Sequence, residues 1–245
     1  MKKLFKIKRR LIIIALAVIV LSYVATNKRA VAHQLLKFTE MLDENGWIEL
    51  GLNNEEAKDY VSSIEPHVLI PAEKLGMEVD VLKAILYGEI RLNYNWFDMV
   101  EHSLLYVKFT DKPLGPHSYG LFQINGETMH LVEDQLNDPN SNFYLGSDIA
   151  QMFPKTTEQE LIAICKEPKQ QAWYFVAYNL MNARWWESHS AHHSVDDPGL
   201  LATFYTRGTE DLTPHDDPKY NEAGRVADQF YRSIHIEQVS LFNQK

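Results

Sequence analysis

Apolar positions recur with the period of an α-helix along most of the chain. In residues 78–92 they fall three or four residues apart, at Val79, Leu82, Ile85, Leu86 and Ile90, which places them on one helical face. Residues 53–76 begin with the capping signal Asn54-Glu55-Glu56 and end at Gly76, which predicts a second helix. Further helices are predicted at 31–50, 142–153, 157–167, 169–188, 197–207 and 221–236. No stretch alternates with period two, so the pattern predicts an all-α fold.

The first 32 residues differ from the rest. Residues 1–10 contain six Lys or Arg and no acid, and residues 11–25 are almost wholly apolar. This order is typical of an export signal or a membrane anchor, and the charges predict a cytoplasmic N-terminus with the remaining chain outside. Ala30-Val31-Ala32 fits a cleavage site, but Lys28 and Arg29 separate it from the apolar run, which favours an uncleaved anchor.

The charge balance bears on the partners. Beyond residue 32, the remaining 213 residues carry 16 Lys or Arg against 33 Asp or Glu, a formal charge of −17. Such a domain repels phosphate backbones, so we expect no nucleic-acid partner. The single cysteine, Cys165, stands at helical spacing and is predicted to be a small core residue. An exported domain without an intramolecular disulfide suits a bacterial envelope.

Glu89 is the first candidate for chemistry. It stands near the end of an apolar predicted helix, beside Leu86, Tyr87 and Ile90. Partial desolvation by these neighbours would raise the pKa of its carboxyl and allow it to act as an acid, the state a glycosidase requires. The alternative is a surface glutamate that pairs with Arg91 or Lys83.

A second motif follows, the segment SYGLFQIN at 118–125. Taken with Glu89, it resembles the lytic transglycosylase and goose-type lysozyme superfamily, in which a helix of the form A-I-x-x-x-E ends in the catalytic Glu and precedes S-x-G-L-x-Q-I. The matching residues are Ala84, Ile85, Glu89, Ser118, Gly120, Leu121, Gln123 and Ile124. A glycine at 120 would let the backbone approach a ligand closely, and Gln123 could offer a hydrogen bond to it, while Leu121 and Ile124 would face the core.

The resemblance extends towards the C-terminus. Residues 138–153 are similar to the family's D-P-x-x-N-x-x-x-G helix, and DPGLLATFYTRG places Tyr205 before Gly208 in the manner of its later tyrosine motif. Tyr178, followed by Asn179, is the alternative tyrosine. Three departures stand beside these matches: Ile90-Arg91 follows Glu89 where the family has Ser, Thr206 follows Tyr205 where it has Asn, and the interval from Glu89 to Ser118 is longer.

The resemblance implies a lysozyme-like helical domain at residues 64–245, preceded by a signal or anchor at 1–32 and a juxtamembrane helical region at 33–63. It implies cleavage of bacterial peptidoglycan between N-acetylmuramic acid and N-acetylglucosamine, with Glu89 as acid and then base. Ser118, Tyr119, Gly120, Gln123 and Tyr205 would line the substrate cleft. Attack by the sugar 6-hydroxyl would give an anhydro product and attack by water a hydrolytic one, with Asp98, Glu101 or Asp111 available to position that water. We expect no cofactor and no metal.

The expected location is the outer face of the cytoplasmic membrane, held by residues 11–25, or the exported space if the signal is cleaved. Two alternatives in function stay open. One is a catalytically inactive lysozyme-like domain that binds peptidoglycan or an envelope protein as a scaffold, and the other is a helical membrane-anchored interaction protein. A group of histidines and acids suggests a metal site, although an exposed polar loop is favoured: His189, His192, His193, Asp196 and Asp197.

Overall fold

The computed structural model describes residues 51–94, 118, 120–208 and 213–242. These ranges contain eight helices and no strand, which confirms the all-α prediction for this part of the chain. The helices are α1 Asn54–Leu75, α2 Val79–Leu92, α3 Gly126–Leu136, α4 Ser147–Ala150, α5 Glu158–Cys165, α6 Pro168–Glu187, α7 Pro198–Arg207 and α8 Glu222–Phe242.

α1 begins with a capping box. The Asn53 side chain accepts hydrogen bonds from the backbone N–H groups of Glu55 and Glu56, each at 3.0 Å. The Glu56 carboxylate accepts in return from the Asn53 N–H at 3.2 Å, so the orphan donors at the helix start are satisfied. The helix continues through Pro66 and Pro71 without a break.

The domain boundary predicted between residues 63 and 64 falls inside α1. Ala57 and Val61 before it, and Ile64 and Val68 after it, are all buried in one hydrophobic cluster. The packed part of the chain therefore includes residues that precede 64.

α2 lies at the centre of the packing, in contact with α1, α7 and α8. These neighbours cover most of the surface of α2. Its buried residues are Val81, Leu82, Ala84, Ile85, Leu86, Tyr87, Gly88 and Ile90. At Gly88 the backbones of α2 and α8 approach so closely that a Cβ would lie 2.5 Å from the carbonyl oxygen of Ala223. Glu89 follows directly, on a helix whose position is thus tightly constrained.

α6 is the second central helix and packs against α1, α3, α5 and α7. Cys165, at the end of α5, is 1% exposed, which confirms its prediction as a core residue. Burial raises the pKa of its thiol to about 12, so the group is an inert hydrophobe rather than a nucleophile.

The prediction of one helix over 142–153 is wrong. Only Ser147–Ala150 is helical. The side chain of Asp138 accepts from the Asn140 N–H at 2.9 Å and that of Ser141 from the Phe143 N–H at 3.0 Å. Such local bonds offer the backbone an alternative to a helix.

α3 was not among the predicted helices. Its start is marked by Asn125, whose side chain accepts from the Thr128 N–H at 2.7 Å, and its buried apolar residues Met129, Val132 and Leu136 recur at helical spacing. These signals were legible in the sequence. The other predicted helices correspond to α5, α6, α7 and α8, the last of which runs on to Phe242.

The predicted anchor at 11–25, the signal or anchor segment 1–32 and the helix at 31–50 lie outside the described residues. Within the described ranges, none of the helices combines the length and the apolar character that crossing a membrane requires.

Candidate functional site

Glu89 is partly buried in the last turn of α2. Its Oε2 accepts a hydrogen bond from the Asn93 amide, one turn later, at 2.8 Å. Of the two cations proposed as surface partners, Lys83 pairs with Glu65 at 3.0 Å and Asp80 at 3.3 Å. Arg91 donates to the backbone carbonyl of Leu52.

Residues 120–124 form a tight turn, the candidate cleft loop. Gly120 has a φ of +73° and Gln123 a φ of +49°, the one non-glycine residue in the described chain with a positive φ. The Gln123 amide donates to the Gly120 carbonyl at 2.9 Å, and its side chain is 7% exposed. Gln123 therefore braces the loop, and its contact with a ligand stays a prediction.

The physical reason for glycine at 120 differs from the one expected. A Cβ there would collide with the side-chain amide of Gln171 on α6, so packing against the protein's own core already requires glycine at this position. Gln171 is fully buried, and its Oε1 accepts from the Phe122 N–H at 3.2 Å. Phe122 and Ile124 are buried, whereas Leu121 is only partly so.

Tyr205, on α7, reaches the same loop. Its hydroxyl donates to the Phe122 carbonyl. Burial raises the pKa of this hydroxyl well above its usual range, and the charge of the nearby Glu89 raises it further. The residue keeps some exposure to solvent although its hydroxyl is enclosed. Tyr205 thus contacts the cleft loop and lies close enough to Glu89 for that carboxylate to affect its pKa.

Tyr178, the alternative tyrosine, stands beside Tyr205 with ring centroids 6.0 Å apart. It is 5% exposed, and its hydroxyl lies 3.5 Å from the Phe204 carbonyl. Burial raises its pKa. Tyr178 therefore packs against the Tyr205 ring, and it is Tyr205 whose hydroxyl bonds to the loop.

Tyr60 is a member of the site that no sequence pattern indicated. From α1 its hydroxyl donates to the Leu121 carbonyl at 2.9 Å, and its ring packs on Tyr94 with centroids 5.2 Å apart. Its charge, when ionised, also contributes to the raised pKa of Tyr205. Tyr60 and Tyr205 thus hold two successive carbonyls of the cleft loop.

Of the other predicted site residues, Ser118 is partly buried. Tyr119 and the three acids offered for positioning water, Asp98, Glu101 and Asp111, lie outside the part of the chain that the structure describes.

The histidine group at 189–197 joins α6 to α7. Asp197 caps α7 by accepting from the Leu200 N–H at 2.9 Å, and its Oδ2 lies 2.6 Å from His192 Nε2 and 2.8 Å from the Tyr220 hydroxyl. His193 instead lies between Glu187 and Asp196, 3.0 Å from each. Among the described residues, three side chains placed to share one metal ion occur elsewhere, at Glu78, Asp80 and His235.

A further buried acid, Glu133 on α3, is 1% exposed. It accepts from the Tyr174 hydroxyl at 2.7 Å, the Thr156 hydroxyl at 2.6 Å and the Thr156 N–H at 3.0 Å. Three donors fix its carboxylate between α3, α6 and the loop before α5, which is a structural role.

No protein-family model matches the chain, and neither a curated protein nor a solved structure is significantly similar to it. The resemblance to the lytic transglycosylase and lysozyme superfamily therefore depends on the short motifs and on the geometry around Glu89.

Proposed function

We propose that this protein cleaves the glycan strands of bacterial peptidoglycan between N-acetylmuramic acid and N-acetylglucosamine, with Glu89 as the catalytic acid in a lysozyme-like domain. The N-terminal segment 1–32 would hold or export this domain at the outer face of the cytoplasmic membrane, as its charge pattern predicts.

The supporting observation is the convergence of three separate motifs. Glu89 lies in the last turn of α2, the cleft loop 120–124 follows that helix along the chain, and Tyr205 comes from α7. Tyr205 donates a hydrogen bond to the loop, and the charge of Glu89 raises the pKa of its hydroxyl. An accidental match of short motifs would not be expected to bring Tyr205 close to both of the others.

The two side chains would have different roles in the proposed reaction. The Tyr205 hydroxyl has a raised pKa and a carbonyl acceptor, so it stays neutral and acts as a structural donor rather than a base. The acid step would then belong to Glu89, which is partly buried at the end of its helix. Protonation of the glycosidic oxygen by Glu89, with assistance from the substrate's N-acetyl group, would not need a second carboxylate, as in the known exceptions to the two-carboxylate scheme.

One observation favours the scaffold alternative. The Asn93 amide donates to Glu89 Oε2 at 2.8 Å, and a donor to a carboxylate stabilises its ionised form. An acid must instead be protonated before it reacts. The second candidate function is therefore an inactive domain that binds peptidoglycan without cutting it.

The test is mass analysis of the products released from purified sacculi by the wild type and by Glu89→Gln. We expect muropeptides from the wild type and none from Glu89→Gln, while the exposed-site control Glu73→Gln stays active. Anhydro ends would identify a transglycosylase and reducing ends a hydrolase.

Full activity of Glu89→Gln would overturn the assignment of the acid. Wild-type protein that sediments with sacculi but releases no product would support the scaffold. Absence of both binding and release would remove peptidoglycan as the substrate.

A further inference from the structure

A group of potential metal ligands lies where the start of α2 meets α8. Glu78 immediately precedes α2, Asp80 belongs to its first turn, and His235 lies on α8. One ligand atom from each residue lies within 4.8 Å of the other two. An imidazole with two carboxylates is a donor set that suits first-row divalent cations.

The nitrogen Nε2 of His235 lacks a hydrogen-bond partner. The atom is inaccessible to solvent, although the side chain as a whole is 40% exposed. Glu78 Oε1 lies 3.8 Å from it, too far for a hydrogen bond. Two atoms that bind one ion at about 2.0–2.2 Å lie roughly 3–4 Å apart, so this separation fits a shared cation.

The neighbours of the group orient two of its members. The Tyr231 hydroxyl donates to Glu78 Oε2 at 2.8 Å, which leaves Oε1 for another partner. The Tyr231 ring packs edge-on against His235 with centroids 4.4 Å apart. Such contacts fix the geometry of metal ligands in known sites.

One cation already stands near the group. Lys83 lies 3.3 Å from Asp80 Oδ1, but it is also 3.0 Å from Glu65 on α1. Its single positive charge is therefore shared between two carboxylates, Glu65 and Asp80, and cannot neutralise both of them.

We propose that Glu78, Asp80 and His235 bind a first-row divalent cation such as Zn²⁺, with water completing its coordination. The ion would tie α8 to the start of α2 through His235 and two carboxylates that precede it by more than 150 residues in the chain. This site is separate from the cleft loop, and the proposal does not depend on the proposed function.

The test is calorimetric titration of Zn²⁺ into the metal-stripped 245-residue chain, as wild type, His235→Ala and Asp80→Asn. His193→Ala is the matched control, because His193 also lies between two carboxylates, Glu187 and Asp196. We expect the wild type to have one site that His235→Ala lacks, and Asp80→Asn to weaken it by about tenfold or more. His193→Ala should bind as the wild type does.

A second readout is the thermal unfolding midpoint. Zn²⁺ should raise it in the wild type and in His193→Ala but not in His235→Ala, because the site exists only in the folded chain. Circular dichroism verifies folding, and if His235→Ala is misfolded, the near-isosteric Asp80→Asn carries the comparison. Equal loss of binding in His193→Ala and His235→Ala would overturn the proposal. So would wild-type binding no tighter than that of Asp80→Asn.

Discussion

Replacing Tyr205 with Phe removes a single hydroxyl from the contact between α7 and the cleft loop. The aromatic ring remains, and its centroid still lies 5.3 Å from that of Phe175. The hydroxyl donates to the carbonyl of Phe122, a residue with no solvent exposure. Water cannot replace the lost donor, so the variant contains an unsatisfied buried carbonyl.

The expected cost follows from that carbonyl. Leaving a buried acceptor without its donor costs about 1–3 kcal/mol, so we expect the free energy of unfolding to fall by about 2 kcal/mol. For a domain of this size that corresponds to a decrease of roughly 4–8 °C in the unfolding midpoint.

Tyr178→Phe is the matched control. Its ring belongs to the same cluster, but its hydroxyl is 3.5 Å from the Phe204 carbonyl, at the outer limit of a hydrogen bond. The Asn182 side chain also lies near this hydroxyl, so we expect a loss of about 1 kcal/mol, smaller than that of Tyr205→Phe. Urea denaturation followed by circular dichroism measures both variants, and equal m-values verify that they unfold alike.

Two results would contradict this reasoning. Tyr205→Phe could equal the wild type in stability, which would mean that the Phe122 carbonyl does not depend on Tyr205. Alternatively, Tyr178→Phe could be the more destabilised variant, which would place the stronger contact on the other tyrosine.

Two further predictions concern carboxylates outside the cleft loop. Replacing Glu133 with Ala removes the acceptor of three donors on Tyr174 and Thr156, and urea denaturation should show a loss of roughly 3 kcal/mol; stability equal to the wild type would contradict the structural role of Glu133. Burial opposes ionisation of Glu187, but hydrogen bonds such as that from the Val195 N–H lower its pKa below the ordinary value. A lowered folded-state pKa stabilises the protein above the unfolded value and ceases to do so as pH falls through the folded one. Glu187→Gln should therefore be less stable than the wild type by about 1 kcal/mol at pH 7, and the difference should shrink below about pH 4. Thermal midpoints measured from pH 7 to pH 3 provide the comparison, and a difference independent of pH would contradict the assignment.

The helices that the sequence predicted well carry local signals. The capping box at Asn53, one residue before the predicted signal Asn54-Glu55-Glu56, the proline at the first position of α6 and the Asp197-Pro198 start of α7 all act within one turn of the chain, so sequence alone locates these helix starts to within a residue or two. The predicted helix over 142–153 was wrong because local signals there oppose a helix. Asp138 and Ser141 form their own turns, and a helical pattern of apolar residues does not outweigh them.

The residues of the candidate site also fall into those that the sequence indicates and those that only the structure shows. The sequence indicates Glu89 and Tyr205 as candidates because each belongs to a short motif in a recognisable order. Tyr60 and Gln171 could not, since their bonds to Leu121 and Phe122 span 61 and 49 residues. Nothing near either residue in the sequence indicates a partner at that distance, and only packing of the helices creates the contact.

The large sequence separation of those contacts has a consequence for how the protein folds. The cleft loop takes hydrogen bonds from α1, α6 and α7, through Tyr60, Gln171 and Tyr205. Non-local contacts of this kind form late, after loop closure has been achieved. The loop should therefore reach its native shape only in the final step of folding, so that in a nascent or partly folded chain α2 can carry Glu89 before the loop is assembled. Hydrogen exchange of the Phe122 amide during refolding would follow that step.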